Sequence, residues 1–128
     1  MSDEEQITIF EAVGGQAFFD ALVGRFYVEI EADELLRPLY PPDLTESRRD
    51  LAEFLGQYWG GPGVYSDRKG HPRLRMRHVN FAIGEEQRAA WVRAMTAALD
   101  GTEPPLHPEL RRRFDDYFEM AARHMINT

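Results

Sequence analysis

Four histidines, at positions 71, 78, 107 and 124, all fall in the second half of this 128-residue chain. Imidazole is the side chain best suited to proton transfer and metal ligation near neutral pH, so the surroundings of each histidine decide what it can do. A zinc-binding helix would set histidines three to five residues apart or carry an HExxH motif, and neither occurs. The absence of cysteine removes thiolate metal sites, disulfides and cysteine nucleophiles. A serine hydrolase needs its nucleophile on a sharp turn, and no GxSxG is present. The glycines at 60, 61 and 63 have neither the lysine and hydroxyl residue of a phosphate loop nor a preceding strand, which leaves them as helix punctuation.

His78 has the most informative setting. It lies near the end of GGPGVYSDRKGHPRLRMRHVNF, Gly60 to Phe81, where Arg68, Lys69, Arg73, Arg75 and Arg77 stand against one acidic residue, Asp67. The whole chain has a formal charge of -7, so this local reversal of sign calls for an anionic partner. Haem would answer both features, because two propionates flank an iron that takes an axial imidazole. Leu74, Met76, Val79, Phe81 and Ile83 supply the apolar walls that a macrocycle requires. The competing reading is a basic surface patch, an interaction module without haem, with His78 an ordinary satisfied histidine.

The elements that must position these residues are helical. Phe19, Leu22, Val23, Phe26 and Ile30 recur every three or four residues after the turn expected at Gly14 and Gly15, so one face of a helix from Phe18 turns inward. Asp33 caps a short helix with Leu35, Leu36 and Leu39, and Pro41 and Pro42 stop it, which leaves Tyr40 beside a corner. Thr45 is expected to N-cap the next helix, whose inward face carries Leu51, Phe54, Leu55, Tyr58 and Trp59, and Gly60, Gly61 and Pro62 close it. From Pro62 to Gly84 the pattern is irregular. Glu85 and Glu86 open a helix with Trp91, Val92, Met95 and Leu99 on one face, ended by Asp100 and Gly101. Pro108 begins a last one with Leu110, Phe114, Tyr117, Phe118, Ala121 and Met125 inward. The pattern predicts an all-α chain of about four substantial helices.

Length fits one domain over residues 1–128, with a disordered tail expected at 1–6. The excess of 22 Asp and Glu over 15 Lys and Arg argues against nucleic acid as a partner. No apolar run is long enough for a membrane span, and the opening MSDEEQ is acidic where a signal peptide would be basic, so a cytoplasmic location is expected.

Taken together, these residues resemble the truncated haemoglobins, specifically their second, O-type group. The resemblance covers Ile9 to Asn127. It rests on F-x-A-V-G-G at Phe10 to Gly15, RFY at Arg25 to Tyr27, LYP at Leu39 to Pro41, Y-W-G-G-P at Tyr58 to Pro62, GHPRLRMRH at Gly70 to His78, F-x-I at Phe81 to Ile83, Trp91, and Y-x-E-M-A-A at Tyr117 to Ala122. The spacing of GHPRLRMRH after YWGGP is the most specific part. The resemblance implies a shortened globin, a two-on-two helical sandwich, with b-type haem between the helix from Thr45 and the helices after His78. It implies His78 as the proximal iron ligand, Tyr27 and Tyr40 as distal tyrosines, and Trp91 as the distal tryptophan. Ser47, Leu51 and Leu55 match positions along the distal helix, and Tyr65, His71 and Arg77 fall where the family approaches the haem edge.

The donor chemistry agrees with that assignment. No histidine precedes residue 71, so the earlier helices hold no distal histidine, and two phenols and an indole are the donors available to dioxygen. The expected function is reversible dioxygen binding, for transport or for oxygen-dependent redox chemistry, with carbon monoxide and nitric oxide as further ligands. The alternative is a detoxifying enzyme, a nitric oxide dioxygenase or a peroxidase-like activity served by a reductase. A homo-oligomer is left open.

Overall fold

The computed structural model describes residues 7–71 and 82–127. The tail expected at 1–6 and the candidate residues Met76, Arg77, His78 and Phe81 lie outside them. Among the described residues every regular element is helical: α1 (Ile9–Ala12), α2 (Gln16–Ala32), a 3-10 turn (Arg37–Leu39), α3 (Thr45–Tyr58), α4 (Val64–Lys69), α5 (Glu85–Asp100) and α6 (Pro108–His124). None of these helices is long and apolar enough to cross a membrane. The contacts group the chain into two compact units, residues 1–24 with 43–72 and residues 25–42 with 73–128, and α2 lends one half to each.

In the first unit, a capping box starts α1: Thr8 Oγ1 accepts from the Glu11 amide at 3.1 Å and the Glu11 carboxylate accepts from the Thr8 amide at 3.1 Å. The turn expected before α2 is present, with Gly14 and Gly15 at φ of 103° and 80°. At the end of α3, the Phe10 amide donates to the Trp59 carbonyl at 2.9 Å. A Cβ on Gly61 would stand 2.5 Å from the Phe10 ring and 2.8 Å from the Gly56 carbonyl oxygen. Two of the motifs that carried the family resemblance, FxAVGG and YWGGP, are therefore one packing joint.

The start of α3 differs from expectation. Thr45 is already inside the helix, and the side chain that meets its amide is Asp43, whose Oδ1 accepts at 2.9 Å. Burial on α3 falls on Ala52, Phe54, Leu55 and Gly56, whereas Tyr58, expected inward, is half exposed. Helix α4 lies inside the stretch read as irregular. It has six residues and buries only Tyr65, too little for a periodic signal. It packs on α3, where Arg68 meets Asp50 at 2.7 Å and Glu53 at 2.8 Å, and Lys69 meets Asp50 at 3.3 Å and Glu46 at 3.5 Å. Two of the five cations that called for an external anion thus already have carboxylates of their own fold.

In the second unit, α5 packs on α6. Phe26, Ile30, Leu36, Met95, Leu99, Phe114 and Phe118 form its core, each at most 2% exposed. Gly84 precedes α5, and its amide donates to the Gln87 side chain at 2.8 Å; Glu85 and Glu86 fill the first turn as expected. Pro108 opens α6, with His107 Nδ1 accepting from the Glu109 amide at 3.2 Å. Arg25 donates from Nε to the Ala98 carbonyl at 2.8 Å and from Nη2 to Thr102 Oγ1 at 3.1 Å, fastening α2 to the last turn of α5. Ile83 and Asn127 exchange two hydrogen bonds, the Asn127 amide to the Ile83 carbonyl at 2.8 Å and the Ile83 amide to Asn127 Oδ1 at 2.9 Å.

Candidate functional site

Three helical or turn segments of the second unit bring Tyr27, Tyr40 and Trp91 together. Tyr27 belongs to α2, one residue after the core residue Phe26, and is 5% exposed. Tyr40 ends the 3-10 turn, and Trp91 lies in the second turn of α5; both are half-buried. The Tyr27 and Tyr40 rings meet edge to face with centroids 5.6 Å apart, and Phe26 stands edge-on to Tyr27 at 5.1 Å and to Trp91 at 5.2 Å. Phe118 backs Trp91 at 5.9 Å. Aromatic walls thus hold the polar tips of three side chains in one place.

Those tips are hydrogen-bonded to each other, with Tyr40 as the hub. The Trp91 indole, which can only donate, and the Tyr27 hydroxyl are the hydrogen-bonding neighbours of the Tyr40 phenol, and both favour its ionised form. Burial pushes the Tyr40 phenol up to a pKa of about 12, and the bonds from Trp91 and Tyr27 pull in the opposite direction without overcoming it. Tyr40 therefore keeps its proton at neutral pH and has a hydroxyl hydrogen to give. Such a group can donate to a small ligand of partial negative charge without placing a formal charge in an apolar site.

The other described candidates belong to the first unit. Ser47, Leu51 and Leu55 follow one another at four-residue steps, so they form one stripe along α3; Leu55 is buried and the other two are half-buried. Tyr65 is buried on α4 against Phe54, with ring centroids 5.5 Å apart. His71 is exposed just beyond α4.

Two residues around the site escaped the sequence reading. Phe26, left there as core, is the ring that both Tyr27 and Trp91 rest against. Arg37 reaches over the corner after Tyr40 and donates to the carbonyls of Pro41 at 3.0 Å, Pro42 at 2.9 Å and Tyr40 at 3.4 Å. A signal for Arg37 existed: consecutive prolines offer carbonyls without amides, and an arginine four residues upstream of the first is in reach of them.

Comparison with known proteins gives a consistent result. The family model described as bacterial-like globin matches residues 8–127. A group 2 truncated haemoglobin of Bacillus subtilis is 41% identical over 118 residues, covering 92% of this chain and 87% of the relative. Among solved structures, a thermostable haemoglobin of the actinobacterium Thermobifida fusca is 46% identical with a TM-score of 0.91, covering 95% of this chain and 98% of its own. A truncated haemoglobin of Bacillus subtilis described as oxygen-avid is 38% identical with a TM-score of 0.87, covering 94% of this chain and all of its own.

Proposed function

The chain belongs to the bacterial-like globins, as a group 2 truncated haemoglobin with the all-helical two-on-two fold, and on that premise we propose that it binds dioxygen reversibly under the hands of Tyr27, Tyr40 and Trp91. Haem b is the cofactor of the family and supplies an iron that takes diatomic gases. The residues present suit it: the second unit offers neutral donors set in aromatic walls, the donor chemistry that a partly charged diatomic ligand needs. In this reading His78 would hold the iron, Arg77 would pair with an anionic group of the haem, and Met76, Phe81, Leu51 and Leu55 would supply apolar contacts to it. Ser47, Tyr65 and His71 stand near its edge.

The observation that carries the proposal is the gathering of Tyr27, Tyr40 and Trp91 around Phe26, with the first and last acting on the Tyr40 phenol. A ligand arriving beside the hub exchanges part of that network for hydrogen bonds to itself, and it leaves only when those bonds break. A donor to a polarised ligand in a low-dielectric site is worth about 1.5 kcal/mol or more, roughly a tenfold change in release rate. Two donors acting additively slow release by about a hundredfold. Slow release favours chemistry on the bound gas over delivery, and the oxygen avidity described for the Bacillus subtilis relative points the same way. We accordingly favour oxygen-dependent redox chemistry, such as nitric oxide dioxygenation with a reductase to reset the iron, over transport. The test is stopped-flow dioxygen dissociation for the native protein and for Tyr27→Phe, Tyr40→Phe and Trp91→Phe, with carbon monoxide as a less polar control. Each substitution should speed dioxygen release by far more than carbon monoxide release. Native release at the rate of a carrier globin, unchanged in all three variants, would refute the reading.

A further inference from the structure

We propose that Arg37 is a positioning residue that sets the Tyr40 oxygen where Trp91 and Tyr27 can donate to it. Its effect on ligand release rests on the functional reading above, whereas its hold on Tyr40 can be observed separately.

Pro41 and Pro42 contribute no amide hydrogens, and the residue before a proline is driven to extended backbone, as Tyr40 shows at φ -114° and ψ 155°. The carbonyls of residues 40 to 42 therefore leave the 3-10 turn with no helical ladder to join. Water would satisfy them equally well along many paths, so something must select one. The Arg37 guanidinium does so with a rigid fork: Nη1 reaches the Pro41 and Tyr40 carbonyls and Nη2 the Pro42 carbonyl. The main chain of Arg37 holds Tyr40 from its other end, since the Arg37 carbonyl accepts from the Tyr40 amide at 3.2 Å. Tyr40 is thereby gripped at both amide and carbonyl, which fixes the direction in which its side chain leaves the main chain toward the Tyr27 ring.

The grip is itself anchored. The Arg37 amide donates to the Asp33 carbonyl at 2.9 Å, and Asp33 Oδ1 accepts from the Leu35 and Leu36 amides at 2.9 and 3.0 Å. Leu36, next to Arg37, is 1% exposed. Among the described residues Arg37 forms no ion pair, unlike Arg68, Arg88 and Arg111. Its donors are directed at backbone, the use for which a flat five-donor group is suited and a lysine is not.

The experiment compares native protein, Arg37→Ala, Arg37→Lys, Tyr40→Phe and the double variant Arg37→Ala with Tyr40→Phe, all haem-loaded and ferrous with carbon monoxide bound. The Trp91 indole proton, assigned by its loss in Trp91→Phe, should move in Arg37→Ala toward its position in Tyr40→Phe. Arg37→Lys, with one donor nitrogen, should lie between native and Arg37→Ala, and it carries the test if the alanine variant folds poorly. Dioxygen release should quicken on the order of threefold in Arg37→Ala. It should not quicken further when Arg37→Ala is added to Tyr40→Phe, because the positioned group is already gone. An indole proton left at its native position in both Arg37 variants would overturn the proposal, as would an equal quickening of release in both backgrounds. A moved indole proton with dioxygen release unaffected even by Tyr40→Phe would uphold the role of Arg37 and refute the distal role of the hub.

Discussion

Both units of the molecule are rich in aromatic rings, yet they use them differently. In the first, Phe10 packs against Gly15, Gly56 and Gly61 and stacks on Phe19, which meets Phe18, and the polar side chains complete local structure: Gln57 with Ser66, Gln16 with the Ala52 carbonyl, Arg68 and Lys69 with carboxylates of α3. In the second, Tyr27, Tyr40 and Trp91 turn their polar atoms toward one another, away from the helix ends and turns that such atoms ordinarily serve. Aromatic content alone does not separate packing from chemistry; the direction of the donors does.

If that contrast is right, substitutions in the two regions should fall into different classes. The largest expected effect is on haem itself. His78→Ala should lose the Soret band on gel filtration, whereas His71→Ala, exposed beyond α4, should keep it. The opposite outcome would remove the axial assignment.

Next comes the glycine joint of the first unit. Gly61→Ala drives a methyl group against Phe10 and the Gly56 carbonyl, and should cost about 2 kcal/mol in denaturant unfolding. Its dioxygen release rate should stay native. A Gly61→Ala protein that releases dioxygen as fast as Tyr40→Phe would erase the distinction between the two regions.

The hub should also show in titration. Because the folded phenol is raised to about 12 from an ordinary 10.0, the native state holds this proton where the unfolded chain has released it. Its contribution is complete below pH 10 and is lost as pH rises toward 12. The tyrosinate absorption of the native protein should contain a step near 12 that Tyr40→Phe lacks. An identical curve in the two proteins would mean that the phenol is not buried in the hub.

The smallest effect belongs to Arg68→Gln, which breaks pairs with Asp50 and Glu53 whose partners remain partly in water. It should shift the unfolding midpoint slightly and leave haem retention unchanged. A marked loss of haem would instead place Arg68 among the groups that hold the cofactor.

The helices themselves were legible in the sequence because burial imposes a period: the inward positions expected from Phe19 to Ile30 are all at most 1% exposed. Their ends were legible where proline, glycine or paired glutamates punctuate them. The start of α3 was misread because Asp43 and Thr45 are both good caps, and only geometry shows that Asp43 takes the Thr45 amide. α4 was missed because a single buried residue creates no pattern. The three distal candidates were named through family motifs; spacing alone could not bring Tyr27, Tyr40 and Trp91 together across 64 positions of chain. For Arg37 the paired prolines were the available signal, but which carbonyls it takes depends on the way three of them point.

The reciprocal bonds between Ile83 and Asn127 close the chain from 83 to 127 into a ring, with α5 and α6 inside it. A ring has no free end from which to fray. Asn127→Ala would keep the main-chain bond and remove the one that the Ile83 amide donates to the side chain, so the hairpin of α5 and α6 would lose half of its clasp. Asn127 thus works as a latch on that hairpin, engaged by its main chain and its side chain at once.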